Sequence, residues 1–166
     1  MNISGHNTFL LSDTAIIPSI IIIAIFLVFV YIRSKRNLIR DVQKKVLIQN
    51  PCLISNITFP ARHKRSVSLI AGLTGISGSG ILTVAQEGVQ YFGYKGREIP
   101  LNISIDAARL EAVWLGKVRP LSSRHWLVVG DGSEKHYFTA ETSKMFADNQ
   151  EETKEIYDCI CSKVGK

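Results

Sequence analysis

Residues 15–32 read AIIPSIIIIAIFLVFVYI, an apolar run without a single charge. Those eighteen residues span about 27 Å as a helix at about 1.5 Å rise each, close to the hydrocarbon thickness of a bilayer. Only Pro18 and Ser19 depart from the apolar type, and ten of the eighteen residues are Ile or Val. A core helix of a soluble domain keeps a polar face, whereas this segment is apolar all round. A secretory signal would carry a basic stretch in front and a small-residue cleavage site behind. Residues 1–14 hold no Lys or Arg, and Tyr31-Ile32-Arg33-Ser34 lacks the small residues of such a site. Pro18 falls early in the run, where a missing backbone N–H costs little. The run is therefore expected to be a single membrane-spanning helix.

The flanking charge predicts an orientation. Before the run stands only Asp13; behind it follow Arg33, Lys35, Arg36, Arg40, Lys44 and Lys45. The positive-inside rule then puts residues 1–14 outside as a short tail and the remainder in the cytoplasm. Residues 33–65 carry nine Lys or Arg against one acid, a net of +8, while residues 66–166 carry eleven against twelve, a net of −1. The whole-chain charge of +6 thus belongs to the membrane-proximal segment. A nucleic-acid-binding domain would carry its positive field on the fold itself, so that class is excluded. Cations abutting a span act as a topology signal and a headgroup anchor. The candidate headgroup contacts are those six residues together with Arg62, Lys64 and Arg65 of the following segment.

Other residue patterns carry little chemistry. Cys52, Cys159 and Cys161 are an odd number without framework spacing, and the last two diverge on a helix, which fits a reducing compartment. His6, His63, His125 and His136 show no helical metal-ligand spacing; His125 and His136 are expected to face each other across a hairpin. Gly72, Gly75, Gly78 and Gly80 lack the Lys-Ser/Thr of a phosphate loop and precede a strand, so they read as a turn. Ser77 and Ser79 lack the strand–turn–helix setting of a nucleophile elbow. No catalytic residue, metal site or cofactor is expected.

Periodicity organises the rest. In residues 33–49, Leu38, Ile39, Val42, Val46 and Leu47 recur at helical spacing, an amphipathic helix that continues the span or lies along the headgroups and stops at Asn50-Pro51. Residues 52–66 read as a linker. From Ser66 the period becomes two, with a strand over 67–71. A hairpin follows from Gly80–Ala85 through Gln86-Glu87-Gly88 to Val89–Tyr94. Pro100 confines 98–101 to an edge, and 103–106 read as an irregular step. Arg109–Leu115 alternate, and 125–129 pair with 136–139 across Gly130-Asp131-Gly132. A closing helix is capped by Asp148 or Asn149 and turns Ile156, Tyr157, Ile160, Cys161 and Val164 to one side.

About seven short strands and one C-terminal amphipathic helix make an α+β domain, a small antiparallel β-barrel or sandwich closed by a helix, over residues 66–166. The hairpin Gly80-Ile-Leu-Thr-Val-Ala-Gln-Glu-Gly-Val-Gln-Tyr and the step Glu98-Ile-Pro-Leu-Asn-Ile-Ser-Ile resemble motifs of the pleckstrin-homology superfold, with its GRAM-like and bacterial PH-like members. The resemblance covers roughly residues 66–164. It implies a lipid- or protein-binding scaffold without catalysis. Phosphoinositide-binding members use basic residues between their first two strands, and 72–80 contain none. The chain is therefore expected to be a single-pass anchored scaffold, docking a partner protein or anionic lipid and no nucleic acid. An accessory subunit of a larger membrane complex, or a small enzyme or ligand-binding barrel, is the competing expectation. A reporter fused to the C-terminus should be active only in the cytoplasm; activity outside overturns the orientation.

Overall fold

The computed structural model describes residues 13–65, 77–96, 98–118, 124–142 and 148–163. The expected strand at 67–71, the glycine-rich turn up to residue 76 and residues 1–12 of the N-terminal tail lie outside the described residues. Two compact units divide the chain, residues 1–35 and residues 36–166.

The first unit is the N-terminal part of helix α1, Asp13–Gln49. It starts before the apolar run, taking in Asp13 and Thr14, so Pro18 stands in the second turn rather than at the start. Ile20 to Tyr31 present their apolar side chains outward, and the helix is long and apolar enough to cross a membrane. The Lys35 ammonium lies 5.1 Å from the centre of the Tyr31 ring.

The second unit begins within the same helix at Arg36. After α1 and a 3₁₀ turn at Pro51–Ser55 come seven strands: β1 Ile57–Lys64, β2 Ser77–Ala85, β3 Gly88–Lys95, β4 Ile99–Asp106, β5 Glu111–Lys117, β6 His125–Gly130 and β7 Lys135–Ala140. Helix α2, Gln150–Lys163, follows. Neighbouring strands are antiparallel in the order β4-β3-β2-β1-β7-β6-β5, and the sheet curls into a half-barrel. The α+β class and closing helix are as expected from the sequence.

Three details differ from that expectation. Residues 57–64 are no linker: they form the central strand, paired with β2 from Ile57 to Lys64 and with β7 from Ala61 to Lys64. Their Pro, Arg and Lys residues mask the alternation, because Ala61 and His63 face inward while Arg62 and Lys64 face outward. Residues 103–106 complete an eight-residue β4. As Pro100 required, β4 is an edge strand. Finally, His125 lies opposite Lys117, and His136 lies opposite Val129, so the two histidines do not face each other.

The inner face of the sheet holds the main core. Leu82, Val84, Val89, Tyr91, Leu127, Val129 and Phe138 pack there against Ile156 and Ile160 of α2. Asn149 fastens the start of α2. Its Oδ1 accepts from the His125 N–H at 2.8 Å, and its Nδ2 donates to the Ala140 carbonyl at 2.9 Å and the Thr139 hydroxyl at 2.7 Å. Asp148 meanwhile accepts from the Gln150 N–H at 3.0 Å, so of the two expected caps Asp148 serves the helix N-terminus while the Asn149 side chain ties it to the sheet. At the β2–β3 turn Gly88 takes φ 140°, and a Cβ there would lie 2.1 Å from the Ile105 carbonyl oxygen, which explains the glycine of the hairpin signal.

A second core lies on the outer face. Val42 and Val46 of α1 and Leu53 bury themselves against Ile81 of β2 and Tyr94 of β3, with Leu38, Leu47 and Phe92 around them. The amphipathic stretch thus continues the helix, and its apolar stripe is covered by the sheet rather than by headgroups. Asn50 ends α1 by donating its backbone N–H and its side-chain Nδ2 to the Val46 carbonyl, each at 3.0 Å. Val46 is 1% exposed and Ile48 79%. Val46→Ala should therefore cost about 2 kcal/mol of domain stability. Ile48→Ala should stay within about 0.5 kcal/mol, both read from urea unfolding of the full chain in mild detergent.

Candidate functional site

The sequence-derived cations fall into distinct settings. Arg33, Lys35, Arg36, Arg40, Lys44 and Lys45 all have exposed side chains along α1. Lys45 lies across the Tyr94 ring, 4.3 Å from its centre, and the Tyr94 hydroxyl donates a short hydrogen bond to Gln49 Oε1. Just past β1, Arg65 is open, 3.7 Å from Glu134, with 76% of its side chain exposed. Lys64 stands 5.6 Å from the centre of the Trp126 ring. Arg62 is different. Its guanidinium is largely buried and meets Glu141 Oε1 at 2.5 Å, so it serves the fold rather than an open face.

Glu141 had no signal in the sequence. It follows β7 directly, is tied back by its N–H to the Pro60 carbonyl at 2.9 Å, and has only 3% of its side chain exposed. Arg124 lies close enough to feel both charges: burial first, then Arg62, pull its pKa down to about 10, against Glu141. It stays charged at neutral pH, so two cations attend one buried carboxylate.

Two cavities share Pro60, Glu141 and Thr142 as a common wall. One, of about 290 Å³, continues to Arg36, Ile39, Arg40 and Gln43 of α1. The other, of about 280 Å³, continues to Phe59, Glu152, Glu155 and Ile156. A third groove of about 400 Å³ runs over the outer face of β5–β7, lined by Val113, Leu115, Val118, Val128 and Tyr137, with Glu111 and Lys135 in one cross-strand row at its end. Val113 and Leu115 are among the exposed large apolar residues. The outer face of the sheet therefore has two halves: α1 covers Ile81, Phe92 and Tyr94, and leaves the β5–β7 half with an open apolar groove.

On the inner face His63 Nε2 and His136 Nδ1 lie 3.2 Å apart and buried, the rings flanked by Tyr91 and Phe138. His136 Nε2 is 3.5 Å from Glu134. Burial, then His136 and Arg65, push the His63 pKa down to about 4. Burial also lowers His136, outweighing the attraction of Glu134. His125 stands elsewhere, stacked on Trp114 at 5.8 Å and 3.1 Å from Asp148. Among the described residues no group of three His, Cys, Asp or Glu side chains could hold a metal ion. Cys52, Cys159 and Cys161 form no disulfide among the described residues.

No protein-family model matches this chain, and no curated protein does.

The histidine pair fixes a pH dependence. The unfolded chain holds a proton on residue 63 below about 6.5, and the folded one only below about 4. Stability contributed by the neutral ring is full above the upper value and declines as pH falls through that window. Urea midpoints of the full chain should drop between pH 7 and pH 4. His63→Phe, which keeps a ring against Tyr91 and Phe138, should flatten that drop.

Proposed function

We propose that this chain is a membrane-anchored binding protein. Its single N-terminal helix spans the bilayer, and its PH-like domain, on the cytoplasmic side, docks to anionic headgroups beside its own span. It acts by binding rather than by catalysis. One observation carries this reading. The apolar stripe of α1 past residue 36 is spent on the sheet, so the charged stripe of Arg36, Arg40 and Lys44 is what the helix leaves outward in the turns that follow its apolar run. Each such cation near an anionic surface contributes about 1 kcal/mol before screening. The helix length and composition support the anchor, and the curled seven-stranded sheet closed by a helix supports the PH-like fold.

A second reading, docking of a partner protein, is favoured by the groove over β5–β7. Exposed Val113 and Leu115 beside buried Val128 make an apolar floor, with Glu111 and Lys135 together at one end. Apolar surface of this kind beside charged residues is common to protein interfaces.

Two measurements test the proposal. The full chain should stay with membranes through carbonate extraction, and mass spectrometry should find residues 1–32 still attached; a cleaved N-terminus sinks the anchor. Reconstituted into bilayer discs, the amides of residues 33–45 should exchange more slowly when the discs contain phosphatidylglycerol than when they are phosphatidylcholine alone. About 0.5 M salt should erase the difference, since screening then acts within a few ångströms. Equal exchange in both discs removes the headgroup reading and leaves partner docking.

A further inference from the structure

The groove over β5–β7 is built in outward rows, one residue from each strand. In the first row Glu111 of β5 and Lys135 of β7 flank Gly130 of β6; in the next, Val113 and Tyr137 flank Val128. Glu111 and Lys135 are exposed, and neither makes an ion pair among the described residues. They stand two strand spacings apart, about 10 Å at the backbone, and Gly130 puts no side chain between them. Val113 is 52% exposed and Leu115 41%. Strand β5 also ends the sheet, but a bulge between Trp114 and Gly116, with Gly116 at φ 68°, breaks its regular ladder. Such a bulge twists an edge away from strand pairing, so the face and not the edge is the surface on offer.

The charge pattern chooses the occupant. A uniformly acidic or basic partner would match one of the two charges and oppose the other. A copy of this same face matches both. Turned about a two-fold axis along the middle strand, β6, it brings its Lys135 over Glu111 and its Glu111 over Lys135. The same rotation lays Tyr137 of the second copy on Val113 and sets Val128 on its own counterpart, so the apolar row meets apolar side chains. The strands then run side by side, as faced sheets do when they pack about 10 Å apart. Every contact off the axis occurs twice, as an isologous interface requires. The five apolar side chains of the groove are few against the roughly 20 residues a side of a stable complex between free proteins. Chains confined by a span to one bilayer meet at far higher local concentration, and a small face suffices there. We propose that the occupant of this groove is a second copy of the chain, paired face to face through β5–β7. This rests on the anchor and on the partner-docking reading above, and names the partner.

Full chains labelled with donor or acceptor at the C-terminus are reconstituted into phosphatidylcholine vesicles at rising protein density. Energy transfer should exceed the random-encounter level and saturate as dimers form. Glu111→Lys and Lys135→Glu, both at exposed positions, should each weaken association about tenfold, because one swap sets like charges at two symmetric contacts. A donor chain with Glu111→Lys mixed with an acceptor chain with Lys135→Glu should recover the transfer, since each lysine of the one then meets a glutamate of the other. Random-level transfer from the wild-type chain overturns the proposal. So does transfer that neither swap changes, which puts the contact elsewhere, and so do single swaps that weaken association without recovery in the mixture. Chains that stay out of the vesicles sink the anchor, and with it the local concentration the pairing needs. A second measurement separates these failures from failure of the docking reading. Val113→Cys protein is treated with a maleimide in its native membranes and as dilute purified chain in detergent, and the modified peptide is counted against the exposed native Cys52. If the second copy fails while labelling stays slower in the membranes, another protein covers the groove and docking stands. Equal rates together with a failed second copy remove both.

Discussion

The packing of one helix stripe against one sheet face organises the second unit. Val42 and Val46 would be exposed on an isolated juxtamembrane helix, and burying them on Ile81 and Tyr94 removes apolar surface on both partners. Strand β2 is consequently buried on both faces, with Leu82 and Val84 inward and Ile81 outward. The remaining helix face has no apolar role left. Its cations stay in solvent, and Arg36, Arg40 and Gln43 come to overlook the β1–β7 seam. Both the exposed basic stripe and the cavity beside the seam follow from that single contact.

The central strand makes the seam possible. β1 joins the two halves of the sheet, and its alternation sends His63 to the inner face and Arg62 to the outer one. Inward, desolvation keeps a pair of imidazoles neutral. Outward, Arg62 neutralises Glu141 and lets a carboxylate sit almost wholly out of water. The same eight-residue strand thus supplies a pH-sensitive element and the counter-charge of Glu141, on opposite faces of one sheet.

Much of the architecture was legible locally. The Gly88 hairpin, the Pro100 edge, the Asn50-Pro51 stop and the closing helix each rest on backbone chemistry within a few residues, where sequence signals are strong. β1 was not, because a strand carrying Pro60, Arg62 and Lys64, with Arg65 just behind it, reads as a solvated linker. Its burial depends on β2 and β7, which reach it from far along the chain. The candidate headgroup residues were half legible for the same reason. Charge runs identify Arg36 and Arg40 as cations beside an apolar helix, yet nothing near Arg62 in sequence announces its partner Glu141, seventy-nine residues away.

The sequence by itself determined the apolar helix, its basic flank, the near-neutral charge of the rest and the α+β class, because composition, period and turn chemistry act over short range. Only the tertiary structure decided which cations remain outward and which is buried in a pair. It also decided that the amphipathic stripe is covered by the sheet, and that a buried carboxylate lines the same cavity as two arginines. Those outcomes depend on which surfaces meet when the chain closes, and contacts between distant segments leave no mark on local pattern.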